Sequence, residues 1–241
     1  MFLKRYPDHT FTVVTKISPF EGHSDESFSK GVEASIRESL RALSQSKLST
    51  VLLHRASMIK SRAWDKLVEL MSEGVIQHLG VSVQSPEEFL VAASTPQLTH
   101  IQFPFNILDY RWTESGIDKI VESRPDLVVY ARSIFLQGLL STERSVKWPA
   151  VENFSPSAIV SSIIDLARDF GRESAADLCF AYVRGQRWIS SSVIGMETSA
   201  QVVENARLAG LRPLTTLEIK EAALRIPRVP VQILNPACWP R

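Results

Sequence analysis

Three runs of the chain each end on side chains that could do proton or charge work. Phe11-Thr12-Val13-Val14-Thr15 stops at Lys16, and Ser49-Thr50-Val51-Leu52-Leu53 stops at His54 and Arg55. Leu127-Val128-Val129-Tyr130-Ala131 stops at Arg132 and Ser133. A lysine and a histidine at one site can hold and polarise a substrate oxygen, and an arginine can grip an anionic one. The runs themselves are apolar or β-branched without alternation, the pattern of strands buried on both faces in a parallel sheet. In α/β folds the carboxyl ends of such strands gather the chemistry. Strand ends also meet water, which tolerates Lys, His and Arg, so each residue taken alone is equally well a solvated end.

The elements that would position these residues alternate along the chain. The strand Phe11 to Lys16 precedes a helix from Asp25 to Ser46, with Ser24 as its N-cap and Val32, Ile36, Leu40 and Leu43 as its apolar stripe. The strand Thr50 to His54 leads to a helix with Trp64, Leu67, Val68 and Met71 on one face and Gly74 as its C-cap. Leu79 to Val83 is a third strand, and Pro86 opens the helix after it. His100 to Asn106 is a fourth strand, with Pro104 marking the end of regular pairing. A helix over Ser115 to Ser123 leads to the fifth strand, Leu127 to Ser133. Two helices between Phe154 and Arg184, a strand from Ile189 to Gly195, and helices from Ser199 to Leu208 and Leu217 to Leu224 complete the pattern. The proline-rich tail after Pro227 reads as an extended strap. Six strand–helix alternations mean a parallel sheet with right-handed crossovers. Pattern alone leaves an open sheet and a barrel level.

Length and composition narrow the class. The 241 residues suit one α/β domain, 1–241, and 44% hydrophobic with 22% charged residues is ordinary globular material. A net charge of +1 without a basic stripe gives no support to nucleic acid or an anionic membrane as partner. Cys179 and Cys238 lie far apart and make no metal-binding spacing, so no metal is expected. With no signal peptide and no apolar run of membrane-spanning length, a cytoplasmic protein is expected. No G-x-G-x-x-G turn follows any strand, which removes the usual dinucleotide signature.

Several segments recur in a familiar order: Val13-Val14-Thr15-Lys16, Leu52-Leu53-His54, Leu79-Gly80-Val81-Ser82 and Ile101-Gln102-Phe103-Pro104-Phe105-Asn106. They are followed by Ala131-Arg132-Ser133-Ile134-Phe135-Leu136-Gln137-Gly138-Leu139-Leu140 and by Val193-Ile194-Gly195 with Glu204-Asn205. Together, over nearly the whole chain, they resemble the aldo-keto reductase family. The resemblance implies a parallel (β/α) barrel of the TIM type that binds NADP or NAD in extended form without a Rossmann motif. It implies reduction of a small-molecule aldehyde, ketone or sugar carbonyl by an Asp/Tyr/Lys/His set. Lys16 and His54 match the lysine and the histidine that close the family's third and fourth strands. In such a set the tyrosine is the acid, the lysine ammonium lowers its pKa, and the histidine orients the carbonyl.

The resemblance places Ser82 and Gln102 on the nicotinamide carboxamide, although Val83 stands where an asparagine is usual. Arg132 replaces the tyrosine on which the nicotinamide stacks, and Ser133 and Phe135 fall at pyrophosphate positions. Gly195, Met196, Gln201, Glu204 and Asn205 fall around the adenosine end, with Gln201 where an arginine often grips the 2′-phosphate. A neutral amide lacks the charged fork of a guanidinium, so the choice between NADP and NAD stays open. The first strand matches the family's third. The expectation is therefore an incomplete barrel of about six βα units, N-terminally truncated, without the Asp/Tyr half of the catalytic set and able to self-associate through unpaired strand edges. The alternative to a reductase is a catalytically inactive relative kept as a binding or scaffold protein.

Overall fold

The computed structural model describes residue 5 and residues 11–17, 25–141, 147–152 and 154–239. Its strands are β1 (Val14–Lys16), β2 (Leu48–Leu53), β3 (Ile76–Ser82), β4 (Leu98–Pro104), β5 (Val128–Arg132) and β6 (Ser191–Ser192). Their order in the sheet is their order in sequence. β1 to β4 pair in parallel, as do β5 and β6. A doubly wound sheet reverses its strand order at a switch point, whereas successive βα units of a barrel add on one side. The uninterrupted order therefore resolves, in favour of the barrel type, what periodicity left open.

The chain divides into two compact units. Unit 1 comprises Met1–Phe103 and Lys119–Val129, and unit 2 comprises Pro104–Asp118 and Tyr130–Arg241.

In unit 1 the helices are α1 (Asp25–Leu43), α2 (Arg62–Ser72) and α3 (Pro86–Ala93), with a 3-10 turn at Ala56–Lys60. β2 is buried along nearly its whole length, as its unbroken apolar run requires. Val32 and Ile36 of α1, and Ala63, Trp64, Leu67 and Leu70 of α2, are buried at helical spacing and complete the core. α1 stops at Leu43, three residues short of the expected end. There Ser44 turns left-handed (φ 54°), Gln45 N–H reaches back to Leu40 O, and Ser44 N–H reaches Arg41 O. α2 closes the same way on Gly74 (φ 77°), with Val75 N–H on Leu70 O and Gly74 N–H on Met71 O. Ser85 caps α3 by accepting from Glu88 N–H, and Pro86 sits in the first turn. The expected cap Ser24 lies outside the described residues.

Unit 2 holds α4 (Arg111–Glu114), α6 (Ser157–Asp169), α7 (Ala175–Arg184), α8 (Ser199–Gly210), α9 (Thr216–Arg225) and α10 (Val231–Leu234). The helix expected over Ser115 to Ser123 is α5 (Ile117–Ser123), and the short α4 precedes it. Ile159, Ile163 and Leu166 of α6 pack inward at positions i, i+4 and i+7, and nearly all of α7 is buried. α8 and α9 each begin with a capping box, Thr198 with Gln201 and Thr215 with Glu218. β6 is much shorter than Ile189 to Gly195, because only Ser191 and Ser192 find register partners, Tyr130 and Ala131. The tail is not wholly extended: α10 buries Ile233 and Leu234, and Trp239 Nε1 donates to Gln232 O and Ile233 O.

Candidate active site

In unit 1 the ladder itself sorts the candidate residues. Lys16 of β1 pairs in register with Leu52, Leu52 with Gly80, and Ser82 with Gln102. Register partners in a parallel pair share a face, and residues two apart on a strand do so too. Lys16, Ser82 and Gln102 therefore occupy one face, each at or near the carboxyl end of its strand. Lys16 is half-buried, while Ser82 and Gln102 are only 4% and 6% exposed. A hydroxyl and a primary amide thus stand side by side in an almost dry setting. That pair can donate to and accept from a planar amide. His54 lies one residue beyond the end of β2 and is exposed, at the same end of the sheet as Lys16. Gly80 makes this face possible: a Cβ there would stand 2.3 Å from the His100 carbonyl oxygen and 2.4 Å from Leu52 Cδ2. Lower on the face, burial and then the neighbouring His78 ring push the His100 imidazole down to about 4.

In unit 2 the candidate residues sit on backbone of another kind. Immediately after β5 the chain turns left-handed at Ser133 (φ 59°), Leu136 (φ 45°) and Gln137 (φ 56°), and again at Gly138 (φ 87°). Three non-glycine residues in that conformation within five positions mark a strained turn, and such turns concentrate at ligand sites. Arg132 Nη1 donates to Ser133 Oγ at 3.3 Å, and burial pushes the Arg132 guanidinium pKa down. Phe135 packs edge-on against Phe180, with ring centroids 6.4 Å apart. After β6, Gly195 and Met196 lie exposed, and nothing stands within 4 Å of where a Gly195 Cβ would be. Gln201 Oε1 accepts from Glu197 N–H and Thr198 N–H, so the amide expected near an adenosine is also the N-terminal lock of α8. Glu204 is held by both Arg207 Nε and Nη2 at 2.9 Å, which keeps its carboxyl below the usual range. Asn205, on the next position of α8, is half-buried.

The tyrosines decide how far acid catalysis can go. Tyr182 is buried, stacked on Phe105 (centroids 5.9 Å apart), and pushed up to about 12, chiefly by burial. Burial also raises Tyr130. Tyr110 lies under the Arg228 guanidinium, 4.8 Å from its ring centroid. Tyr6 lies outside the described residues. A proton donor for an alkoxide needs a lowered phenol pKa, and the two shifts resolved among the described tyrosines run the other way. Cys179 is fully buried and its thiol is raised to about 12, the state of a small packed hydrophobe, and Trp64 and Trp188 are core residues.

Two features had no sequence signal. Leu136 and Gln137 carry side chains that seldom adopt positive φ, and only the adjacent Gly138 hints at a turn. Asp109, on a loop, is 2% exposed and takes Arg111 Nε and Nη2 at 2.7 Å each and Trp112 Nε1 at 3.0 Å. Its spacing from Arg111 resembles any surface ion pair. Among the described residues no helix is long and apolar enough to cross a membrane.

The comparisons with known proteins accord with this architecture. The structure is similar to that of the aldo-keto reductase AKR11C1 from Bacillus halodurans in its holo form, with a TM-score of 0.71 and 19% identity over 90% of this chain and 72% of that one. It is also similar to the glycerol dehydrogenase AKR11B4 from Gluconobacter oxydans, with a TM-score of 0.66 and 22% identity over 90% of this chain and 73% of that one. At such identities the likeness speaks for the fold. No curated protein matches the chain. The model of the Aldo/keto reductase family matches residues 2–223, across both units, and the chain belongs to that family.

Proposed function

We propose that the chain is an oxidoreductase of aldo-keto reductase type that uses NADP(H) or NAD(H) to reduce an aldehyde, ketone or sugar carbonyl. The observation that carries this reading is the shared face of Lys16, Ser82 and Gln102 at the carboxyl ends of adjoining parallel strands. Ser82 and Gln102 would hold the nicotinamide carboxamide, for which a buried hydroxyl and amide are the complementary groups. Ser133 and Phe135, on the left-handed turn beside Arg132, would meet the diphosphate, where a guanidinium adds charge. Gly195, Met196, Gln201, Glu204 and Asn205 would border the adenosine, with Gln201 giving up part of its capping role. When bound, the cofactor supplies a hydride. The chain's own part is to orient the carbonyl through His54 and to place the Lys16 ammonium where negative charge develops on oxygen. One family model spanning 2–223 supports reading 1–241 as a single aldo-keto reductase-like domain.

A second reading, a nicotinamide-binding relative without turnover, is favoured by the raised pKa values of Tyr130 and Tyr182. General acids contribute about 10² to 10⁴ in rate. Consumption of NADPH or NADH against a panel of aldehydes separates the two. The reductase reading expects slow, saturable turnover, lost in Lys16→Met and in His54→Asn. Cofactor binding with no turnover selects the second reading. Neither binding nor turnover at millimolar cofactor overturns both.

A further inference from the structure

In unit 2 the ten-residue helix α9 carries two leucines that the core does not use. Leu217 and Leu224 are 78% and 87% exposed, the highest values among the large apolar side chains described. Seven residues apart, they stand almost in line, about 10 Å from one another along the axis. The inward side of the helix is fixed. Ala222 is wholly buried, Ile219 Cδ1 stands 2.8 Å from where a Gly185 Cβ would be, and Arg225 Nη2 donates to Asp169 Oδ2 at 2.6 Å. The capping box of Thr215 and Glu218 sets the first turn. The leucines therefore face away from the core on a rigid support, with exposed Lys220 and Glu221 between them. Glu221 holds Arg225 of its own helix at 2.9 Å, whereas Lys220 has no carboxylate partner among the described residues.

We propose that this face of α9 is a docking surface for α9 of a second copy of the chain, packed antiparallel about a two-fold axis. The order Leu217, Lys220, Glu221, Leu224 is self-complementary about the midpoint between Lys220 and Glu221. In an isologous contact residue i meets j while j meets i. With the axis at that midpoint, Leu217 meets the second copy's Leu224 and Lys220 meets its Glu221, and each contact occurs twice. Both leucines and both charges thus find complements on the same face. A parallel pairing would instead set Lys220 level with Lys220 and Glu221 with Glu221, and would align the two helix dipoles unfavourably. Opposite charges fix register and direction here, while the leucines supply the affinity. A membrane surface is a poorer fit, since one lysine beside one glutamate gives no net attraction to anionic lipid. Ten residues rise only about 15 Å, so the contact falls short of the about 1,200 Å² of a lasting interface. The pair is therefore weak and reversible. It engages none of the residues proposed for the cofactor or the carbonyl, and no strand edge.

The test is analytical ultracentrifugation of the full chain from micromolar to millimolar concentration. The proposal expects a reversible monomer–dimer equilibrium, weakened about ten-fold or more in Leu224→Glu, because the substitution acts twice in a two-fold contact. Leu224 is almost wholly exposed, so that variant should melt as the parent does. Charge exchange tests the register without touching the leucines. Lys220→Glu and Glu221→Lys should each self-associate less than the parent at low ionic strength, and should associate with one another when mixed. A chain that stays monomeric up to millimolar concentration overturns the proposal. A dimer indifferent to Leu224→Glu overturns it equally, as do charge variants that self-associate like the parent or fail to pair on mixing.

Discussion

The two compact units place their candidate residues by different physics. In unit 1, Lys16, Ser82 and Gln102 are placed by a hydrogen-bonded ladder whose register leaves each no choice of face. In unit 2, Ser133 is placed by left-handed backbone, and Gln201 and Glu204 already serve α8 as a cap and a salt bridge. Non-glycine residues held at positive φ cost on the order of 1–3 kcal/mol each, so the turn after β5 must be held by its surroundings. The contrast teaches that unit 1 offers a ready-made recognition face. Under the proposed function, unit 2 would offer groups that exchange one partner for another when the cofactor binds. Cofactor affinity should therefore be more sensitive to Gln102 than to Gln201.

The largest effect should come from unit 2's buried anchor. Asp109→Ala leaves Arg111 and Trp112 Nε1 without their acceptor and should cost about 3–5 kcal/mol in denaturant unfolding. A cost below 1 kcal/mol would mean that unit 2 does not depend on that pair. Next, Gly80→Ala drives a methyl group into the His100 carbonyl and Leu52 and should cost about 1–3 kcal/mol. If stability is untouched, the register of β3 and β4 is looser than described. Thr198→Ala removes one arm of the α8 capping box, for about 1 kcal/mol. It leaves the Gln201 amide on the backbone N–H groups of Glu197 and Thr198, so cofactor affinity should change little.

The smallest effect is on acid stability. Arg212, then hydrogen bonds from Thr215, hold the Glu218 carboxyl down at about 2 against an ordinary 4.5. A lowered carboxylate pKa stabilises the fold above the ordinary value, and that contribution fades as pH falls from 4.5 toward 2. Arg212 is half-exposed, so the loss should be below about 1 kcal/mol. Glu218→Gln should flatten the parent's stability profile in that window, and an unchanged profile would show the pair to be inert.

Much of unit 1 was legible because strands buried on both faces write themselves as unbroken apolar runs. Thr50 to Leu53 could be placed from sequence, and with it the position of His54 at a strand end. Strand order was not legible, since periodicity describes one element at a time and only pairing reveals that no reversal occurs. The turn after β5 escaped because Leu136 and Gln137 adopt positive φ for reasons supplied by tertiary packing. β6 is shorter than Ile189 to Gly195 because register stops after Ser192, which the sequence around three successive serines does not reveal. Periodicity also does not show that Ser82 and Gln102 stand side by side, which the ladder does.

The most direct measurement is titration of the chain with NADPH and with NADH, followed by tryptophan fluorescence and calorimetry, in the parent and in Gln102→Ala. The account predicts saturable binding of at least one of the two cofactors, weakened about ten-fold in Gln102→Ala by loss of a buried amide's hydrogen bonds. Binding unaffected by Gln102→Ala, or none up to millimolar cofactor, would contradict the assignment of this face to the nicotinamide.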